Sequence, residues 1–165
     1  MSSTYKAPDG TSIGHVHLKV SDLDRALEFY RDLLGFELTT MYGDQAAFLS
    51  AGRYHHHIGL NTWHSKGGTP APRNSAGLYH TAFLYPTRKD LARIVKRLID
   101  NGYPISGASD HGVSEAIYLN DPDGNGVELY RDRPKEEWDY RGDGSIEMAT
   151  EPLDLNDLLG ELESE

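Results

Sequence analysis

The hydrophobic positions of this chain change period from two to three or four, and the same change occurs twice. Apolar and polar residues alternate over 16–20, as in a half-buried strand, and a second short strand-like segment spans 80–85. After each strand the apolar residues recur at helical spacing. The first stripe is Leu23, Ala26, Leu27, Tyr30, Leu33 and Leu34, and the second is Leu91, Ile94, Val95, Leu98 and Ile99. The pattern predicts two strand–helix units.

Each predicted helix carries residues that favour its start and its end. Ser21, followed three residues later by Asp24, predicts a capping box at the first helix. Gly35 predicts a left-handed stop at its other end. The second helix repeats the scheme with Thr87, Asp90 and Gly102.

Three strand-like segments follow each helix, separated by turns that contain Gly, Asp or Pro. The first set spans 36–41, 45–50 and 54–62, and the second spans 105–108, 114–120 and 126–131. Each half therefore predicts the order βαβββ. The sequence predicts an α+β fold in which two βαβββ modules form a curved, partly closed mixed sheet with the helices outside.

The predicted modules leave three further stretches of the 165-residue chain. We expect an N-terminal arm at 1–12, the first module at 13–63, a linker at 64–77, the second module at 78–132 and an acidic C-terminal tail at 133–165. In the tail, Leu155, Leu158, Leu159 and Leu162 have helical spacing. Both a docked amphipathic helix and a solvated acidic tail agree with this composition.

The composition excludes several classes of function. A net charge of −10 argues against a nucleic-acid partner, because phosphate binding needs a basic surface. The chain contains no cysteine, which excludes disulfides and thiolate metal ligands. It has neither a secretion signal nor an apolar run near the roughly 20 residues that span a bilayer. We therefore expect a soluble, cytoplasmic protein with no membrane partner.

Histidines open the two repeated strands. His15 and His80 occupy equivalent positions, whereas Ala82 stands where the first unit has His17. Glu128, in the last strand of the second module, adds one carboxylate. A lone histidine on a strand is more often packed or exposed, but two imidazoles and a carboxylate on repeated strands form the set that a facial metal site needs.

These residues resemble the vicinal oxygen chelate superfamily, which includes glyoxalases, bleomycin-resistance proteins and extradiol dioxygenases. The resemblance rests on the paired modules, on the segment from His15 to Gly35-Phe36, and on Asp121-Pro122-Asp123-Gly124 before Glu128. It covers residues 13–131. Within that superfamily the chain looks most similar to catechol 2,3-dioxygenase-like extradiol enzymes.

The extradiol resemblance implies Fe(II), with Mn(II) as an alternative, bound by His15, His80 and Glu128. It also implies catalytic roles for Tyr118, ten residues before the glutamate, for His111 and for His56. A regular strand would instead turn His57 towards the metal, so His57 stays an alternative to His56. The expected partners are a small catechol-like aromatic, dioxygen and a second copy in a homodimer.

Two other functions remain open from the sequence. The resemblance implies that a glyoxalase-like isomerase or lyase would add a fourth ligand, a carboxylate, near Gly59, where the chain has none, with His57 as the available substitute. A bleomycin-resistance-type binder would need no metal triad. The larger extradiol enzymes have four modules, so we expect the tail or a second subunit to complete a pocket built from two.

Overall fold

The computed structural model describes residues 4–163 and contains two mixed sheets, in which most strand pairs are antiparallel, and three α-helices. The elements are β1 Val16–Lys19, α1 Leu23–Leu27, β2 Glu37–Tyr42, β3 Ala46–Ser50, β4 Ile58–Asn61, β5 Thr81–Leu84, α2 Arg88–Asp100, β6 Gly107–Asp110, β7 Ser114–Asn120, β8 Gly126–Asp132, β9 Glu151–Pro152 and α3 Leu155–Gly160. This order confirms the predicted α+β class and the βαβββ pattern of each half.

The two sheets share one topology. Their strand orders are β1-β4-β3-β2 and β5-β8-β7-β6, and β9 adds to the second sheet at β6. The first strand of each half runs parallel to the last, with Val16 opposite Ile58 and Thr81 opposite Val127. In both sheets alternate side chains, such as Leu60 and Leu129, point into one core cluster. The opposite faces are free to build a site.

The first helix begins one residue later than its capping box predicts. Asp22 is the N-cap and accepts a hydrogen bond from the Arg25 amide, while Ser21 instead bonds the Asp123 carboxylate. Beyond α1, residues 28–33 continue as a π-helical turn. Phe29 on this turn is buried, although the predicted stripe omits it.

The second helix follows its sequence signals more closely. Thr87 caps it and accepts a hydrogen bond from the Asp90 amide. Leu91, Val95 and Leu98 are fully buried, as their spacing predicts, but Ile99 is 48% exposed. The apolar face is therefore narrower than predicted at the last turn.

The predicted strand over 54–62 is much shorter in the structure. Pairing begins at Ile58, so residues 54–57 form an irregular approach to β4. A strand alternation argument therefore does not apply to His56 or His57. Strand β6 is likewise shifted two residues towards the C-terminus, which places His111 directly after it.

The two halves of the chain pack through their helix sides. Phe29 contacts Tyr103 with ring centroids 5.1 Å apart, and Phe36 contacts Phe83 at 5.0 Å. The buried Tyr30 hydroxyl donates to Asp121 at 2.9 Å. These contacts join the modules on the core side and leave the opposite sheet faces open.

The acidic tail is docked, which decides between the two interpretations of its leucines. Leu158 is fully buried in the common core, and Leu155, Leu159 and Leu162 pack against it. Arg88 on α2 also holds Asp157 and Glu161 of the tail, at 2.6 and 2.8 Å. Within residues 4–163, no helix has the length and apolar character needed to cross a membrane.

Candidate metal centre

Two of the three predicted metal ligands meet on the second sheet. His80 immediately precedes β5, and Glu128 lies on the neighbouring parallel strand β8, opposite Ala82. The small Ala82 side chain leaves the space above it to the carboxylate. The distance from His80 Nε2 to Glu128 Oε2 is 2.8 Å, and the Glu128 side chain is only 12% exposed.

The two predicted catalytic residues of this module extend the same contact chain. Tyr118 lies opposite Glu128 in the β7–β8 pairing, and its hydroxyl is 3.3 Å from Glu128 Oε1. His111 Nε2 lies 2.7 Å from that hydroxyl. A continuous series of polar contacts therefore joins His80 to Glu128, Tyr118 and His111, although His80 is more than thirty residues from the other three.

Tyr118 keeps its proton at any ordinary working pH. Burial, and then the negative charge and hydrogen bond of Glu128, raise the pKa of Tyr118 to about 12. The phenol is therefore a hydrogen-bond donor beside the carboxylate rather than a second anion.

The imidazole–carboxylate pair has the spacing of two ligands on one ion. Two atoms that are each about 2.1 Å from a metal and at right angles to each other lie about 3.0 Å apart. The observed 2.8 Å between His80 Nε2 and Glu128 Oε2 is close to that value. His80 Nδ1 is also buried without a hydrogen-bond partner among the described residues. The donor atoms fit a divalent ion bound through Nε2 and the carboxylate.

His15 does not join this pair within one chain. Its ring stacks on His56, with centroids 4.5 Å apart, on the first sheet. In the part of the chain from 4 to 163, no three His, Asp or Glu side chains lie close enough together to hold one ion. The structure thus brings together His80 and Glu128 and leaves the third predicted ligand elsewhere.

The first sheet carries its own group of imidazoles. His56 contacts both His15 and Phe48, and His55 Nδ1 approaches His56 Nδ1 to 2.8 Å. Burial, followed by the nearby imidazole of His15, lowers the pKa of His56. His56 is therefore a neutral imidazole at neutral pH, adjacent to the predicted ligand His15.

His57 points differently from His56. Its Nδ1 receives a hydrogen bond from the Ala51 amide at 3.2 Å and lies 3.1 Å from the Ser50 hydroxyl. These contacts tie the ring to the end of β3. Of the two histidines that the sequence left open, His56 is the one in contact with His15.

The equivalent position to Glu128 in the first module has no side chain. Gly59 lies opposite His17, just as Glu128 lies opposite Ala82. A Cβ added at Gly59 would come within 2.9 Å of the His17 ring. His17 fills that space instead and contacts Asn61 at 3.0 Å. The first module therefore contributes no carboxylate where a fourth ligand would stand.

Sequence reasoning missed the tail's contribution to this centre. The Ala149 carbonyl oxygen lies 2.8 Å from His111 Nδ1. No side-chain pattern could have revealed it, because the contact is made by a backbone atom of an irregular segment. His55 was also missed as a neighbour of His56, although the run His55-His56-His57 was visible.

Comparison with known proteins shows which family the chain resembles. Residues 12–129 match the model of the glyoxalase/bleomycin resistance protein/dioxygenase superfamily. The chain is 39% identical over 154 residues to catechol-2,3-dioxygenase of Bacillus subtilis strain 168, covering 93% of this chain but 53% of that protein. It is 36% identical over 134 residues to biphenyl-2,3-diol 1,2-dioxygenase 3 of Rhodococcus globerulus, covering 78% and 68%.

The chain is also similar in sequence to a transferase and in fold to solved structures. The chain is 30% identical to the metallothiol transferase FosB of Staphylococcus epidermidis strain ATCC 12228, over 79% of this chain and 88% of that one. A glyoxalase/dioxygenase structure from Nostoc punctiforme has the same fold, with a TM-score of 0.64 at 19% identity over 81% of this chain and all of the other. By the extent of the match and by its fold, the chain belongs to the glyoxalase/bleomycin resistance protein/dioxygenase superfamily.

Proposed function

We propose that this protein is an Fe(II)-dependent extradiol dioxygenase that opens the ring of a small catechol-like aromatic, with Mn(II) as an alternative ion. The observation that carries the proposal is the contact series His80–Glu128–Tyr118–His111, which links two expected ligands to two expected catalytic residues. A set of only two ligands would also fit other metal enzymes. The tyrosine and the second histidine beside them favour ring cleavage.

The similarities support the same substrate class. Relatives named catechol-2,3-dioxygenase and biphenyl-2,3-diol 1,2-dioxygenase act on aromatic rings with adjacent hydroxyls, as their names state. The chain spans about half the length of the first of them. The activity and the substrate of this chain are therefore proposed rather than taken over from that relative.

The third ligand, in this proposal, is His15 of a second copy in a homodimer. The halves of one chain pack through their helix sides, as the contacts of Phe36 with Phe83 and of Phe29 with Tyr103 show. Within one chain, therefore, the sheet face that carries His15 does not pack against the sheet face that carries His80. A two-fold axis would bring the first sheet of one copy to the second sheet of the other, so each dimer would hold two complete sites.

Exposed apolar side chains beside the ligands agree with a second copy. Ile13 is 93% exposed two residues before His15, and Tyr79 is 89% exposed next to His80. Leu78 is 64% exposed in the same stretch. Large exposed apolar side chains beside functional residues are typical of interaction surfaces.

The chain's own residues would divide the work of the reaction. A bound iron would supply adjacent open positions for the substrate oxygens and for dioxygen. His80, Glu128 and His15 would hold the ion. Tyr118 would donate a hydrogen bond to a substrate oxygen, since its phenol stays protonated. His56, neutral at working pH, would accept and return a proton at its ring nitrogen.

Two alternative activities come from other relatives. The chain also matches the transferase FosB and a probable lactoylglutathione lyase of a Synechocystis species. Gly59 offers no side chain to a metal, and His17 fills the space in front of it. The first module therefore lacks the carboxylate that a glyoxalase-type centre would use, which weighs against the lyase.

The activity is tested by loading the purified protein with Fe(II) under nitrogen and then adding catechol and oxygen. We expect consumption of oxygen with appearance of a yellow ring-opened product. His80→Ala should lose the bound iron, whereas Asn61→Ala, on the opposite sheet, should retain it. Turnover of a methylglyoxal–thiol adduct with nickel or zinc, without oxygen uptake on catechols, would establish the lyase instead.

The shared site is tested by mixing two inactive variants. His15→Ala and His80→Ala, co-expressed with different tags, should regain about one quarter of wild-type activity, because half of randomly paired dimers are mixed and each mixed dimer has one intact site. If both ligands act within one chain, the mixture stays inactive. Each variant alone serves as the control.

A further inference from the structure

The C-terminal segment reaches the candidate metal centre from outside the family's common core. The superfamily match ends at residue 129, whereas this segment continues to the end of the described chain. Strand β9 pairs with β6, with Pro152 opposite Ser109 and Glu151 opposite Asp110. Helix α3 then anchors the segment, because Leu158 is fully buried in the core.

Two hydrogen bonds join this segment to His111. The Ala149 amide donates to the His111 carbonyl at 3.0 Å, and the Ala149 carbonyl lies 2.8 Å from His111 Nδ1. The His111 amide is already held by its own turn, through the Ser114 carbonyl at 2.8 Å. The turn therefore fixes the backbone of His111, and the tail contacts its ring.

The contact with a carbonyl decides which ring nitrogen carries the proton. A carbonyl oxygen can only accept, so Nδ1 of His111 must be protonated to bond it. In the neutral ring Nε2 is then free of hydrogen and acts as an acceptor. It lies 2.7 Å from the hydroxyl of Tyr118, closer than the 3.3 Å from that hydroxyl to Glu128. The shorter contact therefore favours donation of the single Tyr118 proton to His111 over its donation to Glu128.

We propose that residues 149–162, named here the strap, position His111 with Nδ1 protonated so that Nε2 accepts from Tyr118. The consequence for catalysis rests on the function proposed above. When a substrate hydroxyl gives its proton to the Tyr118 oxygen, the original Tyr118 proton passes to His111 Nε2, and the new Tyr118 O–H donates a hydrogen bond to the substrate oxygen. One O–H bond breaks and one forms at the tyrosine, an N–H bond forms on the histidine, and the Ala149 carbonyl stabilises the resulting imidazolium.

The strap is tested in the metal-free full-length protein by the nitrogen chemical shifts of the histidine rings. His111→Gln assigns the signals of this ring among the eight histidines. We expect the Nδ1–H form of neutral His111 to predominate in the wild type. Free histidine favours Nε2–H, so the strap must reverse an intrinsic preference.

Ala149→Pro removes the amide that holds the strap at His111, and Ala149→Gly is the matched control that keeps both the amide and the carbonyl. In the proline variant the ratio of Nδ1–H to Nε2–H should fall by roughly fivefold, the contribution of one ordinary hydrogen bond. The glycine variant should keep the wild-type ratio. A Nε2–H ring in the wild type, or an unchanged ratio in the proline variant, overturns the proposal.

Leu158→Asp is a second route, since a carboxylate in the core releases α3 while leaving Ala149 itself unaltered. If that variant remains folded by its amide spectrum, the ratio should fall as in Ala149→Pro, and an unchanged ratio counts against the strap. The measurement needs no metal and no substrate. A correct tautomer in a protein that cleaves no catechol would therefore refute the proposed function and leave the strap standing.

Discussion

Glu115 is the residue whose replacement should most weaken the attachment of the tail and the second sheet. Its side chain is only 3% exposed on β7. It accepts hydrogen bonds from Arg88 at 2.9 Å, from Arg131 at 2.8 Å and from Arg133 at 3.3 Å. Arg88 in turn holds Asp157 of α3, so the buried carboxylate connects the sheet, α2 and the tail.

The size of the effect follows from these contacts. Glu115→Gln keeps the shape but loses the charge, and weakening charge-assisted hydrogen bonds costs about 1.5–3 kcal/mol. Glu115→Ala leaves three largely buried guanidinium groups short of a partner, and removal of one side of a buried pair costs about 3–5 kcal/mol. We therefore expect the alanine variant to be the less stable of the two.

The pH dependence of the stability difference between wild type and Glu115→Gln gives an independent test. Burial alone would raise the pKa of Glu115, but hydrogen bonds and charges from Arg131 and Arg88 outweigh it, and the pKa lies below the ordinary value of 4.5. A carboxyl whose pKa is lowered by folding stabilises the native state fully above its unfolded pKa. That contribution is lost as the pH falls through the folded pKa. The gap between wild type and Glu115→Gln should therefore shrink below about pH 4.5.

Urea unfolding at several pH values measures both effects. With an m-value of about 2 kcal/mol per molar, the midpoint of Glu115→Gln at pH 7 should lie about 1 M below the wild type. Asp100→Asn is the control, because it removes the Lys96–Asp100 ion pair from α2, the helix that carries Arg88. Both side chains of that pair are about half exposed, so the urea midpoint should not move. Equal midpoints for Glu115→Gln and wild type at pH 7, or a gap that stays constant into acid, would refute the reasoning.

Three further substitutions test the candidate centre. Tyr118→Phe removes the hydroxyl between His111 and Glu128, so kcat with catechol should fall by roughly 10–100-fold while iron content stays the same, and lost iron would contradict this. His56→Phe should also keep iron and lower turnover by roughly 10²–10⁴, as expected for an acid–base group, and unchanged kcat would exclude that role. Gly59→Ala places a methyl group against the ring of His17 and should lower stability by about 1–3 kcal/mol in thermal unfolding; an unchanged melting temperature would mean that the ring moves freely aside.

The order of the elements was readable from the sequence because its causes are local. Thr87 forms the predicted cap, and Gly35 and Gly102 have the positive φ angles that end the two helices. Alternating apolar residues on β8 place Val127 and Leu129 in the core, and hence Glu128 on the opposite face. These features depend on neighbours within a few residues.

Departures from the prediction occur where packing overrides local pattern. Phe29, which the predicted stripe omits, is buried on the π-helical turn. Strand β4 begins at Ile58 because pairing with β1 starts there, and this leaves His56 on an irregular segment. The leucines of the tail allowed two outcomes, and only the core around Leu158 decided between them.

The sequence by itself determined the family, the repeated modules and the residues that can carry metal chemistry, because repetition, alternation and residue type are properties of the chain alone. The tertiary structure decided which of those residues meet. It joined His80 to Glu128, set His15 beside His56, and brought the Ala149 carbonyl to His111. These contacts depend on how whole sheets and a terminal segment pack against each other. The packing energy that fixes them is spread over the entire core rather than encoded at any one position.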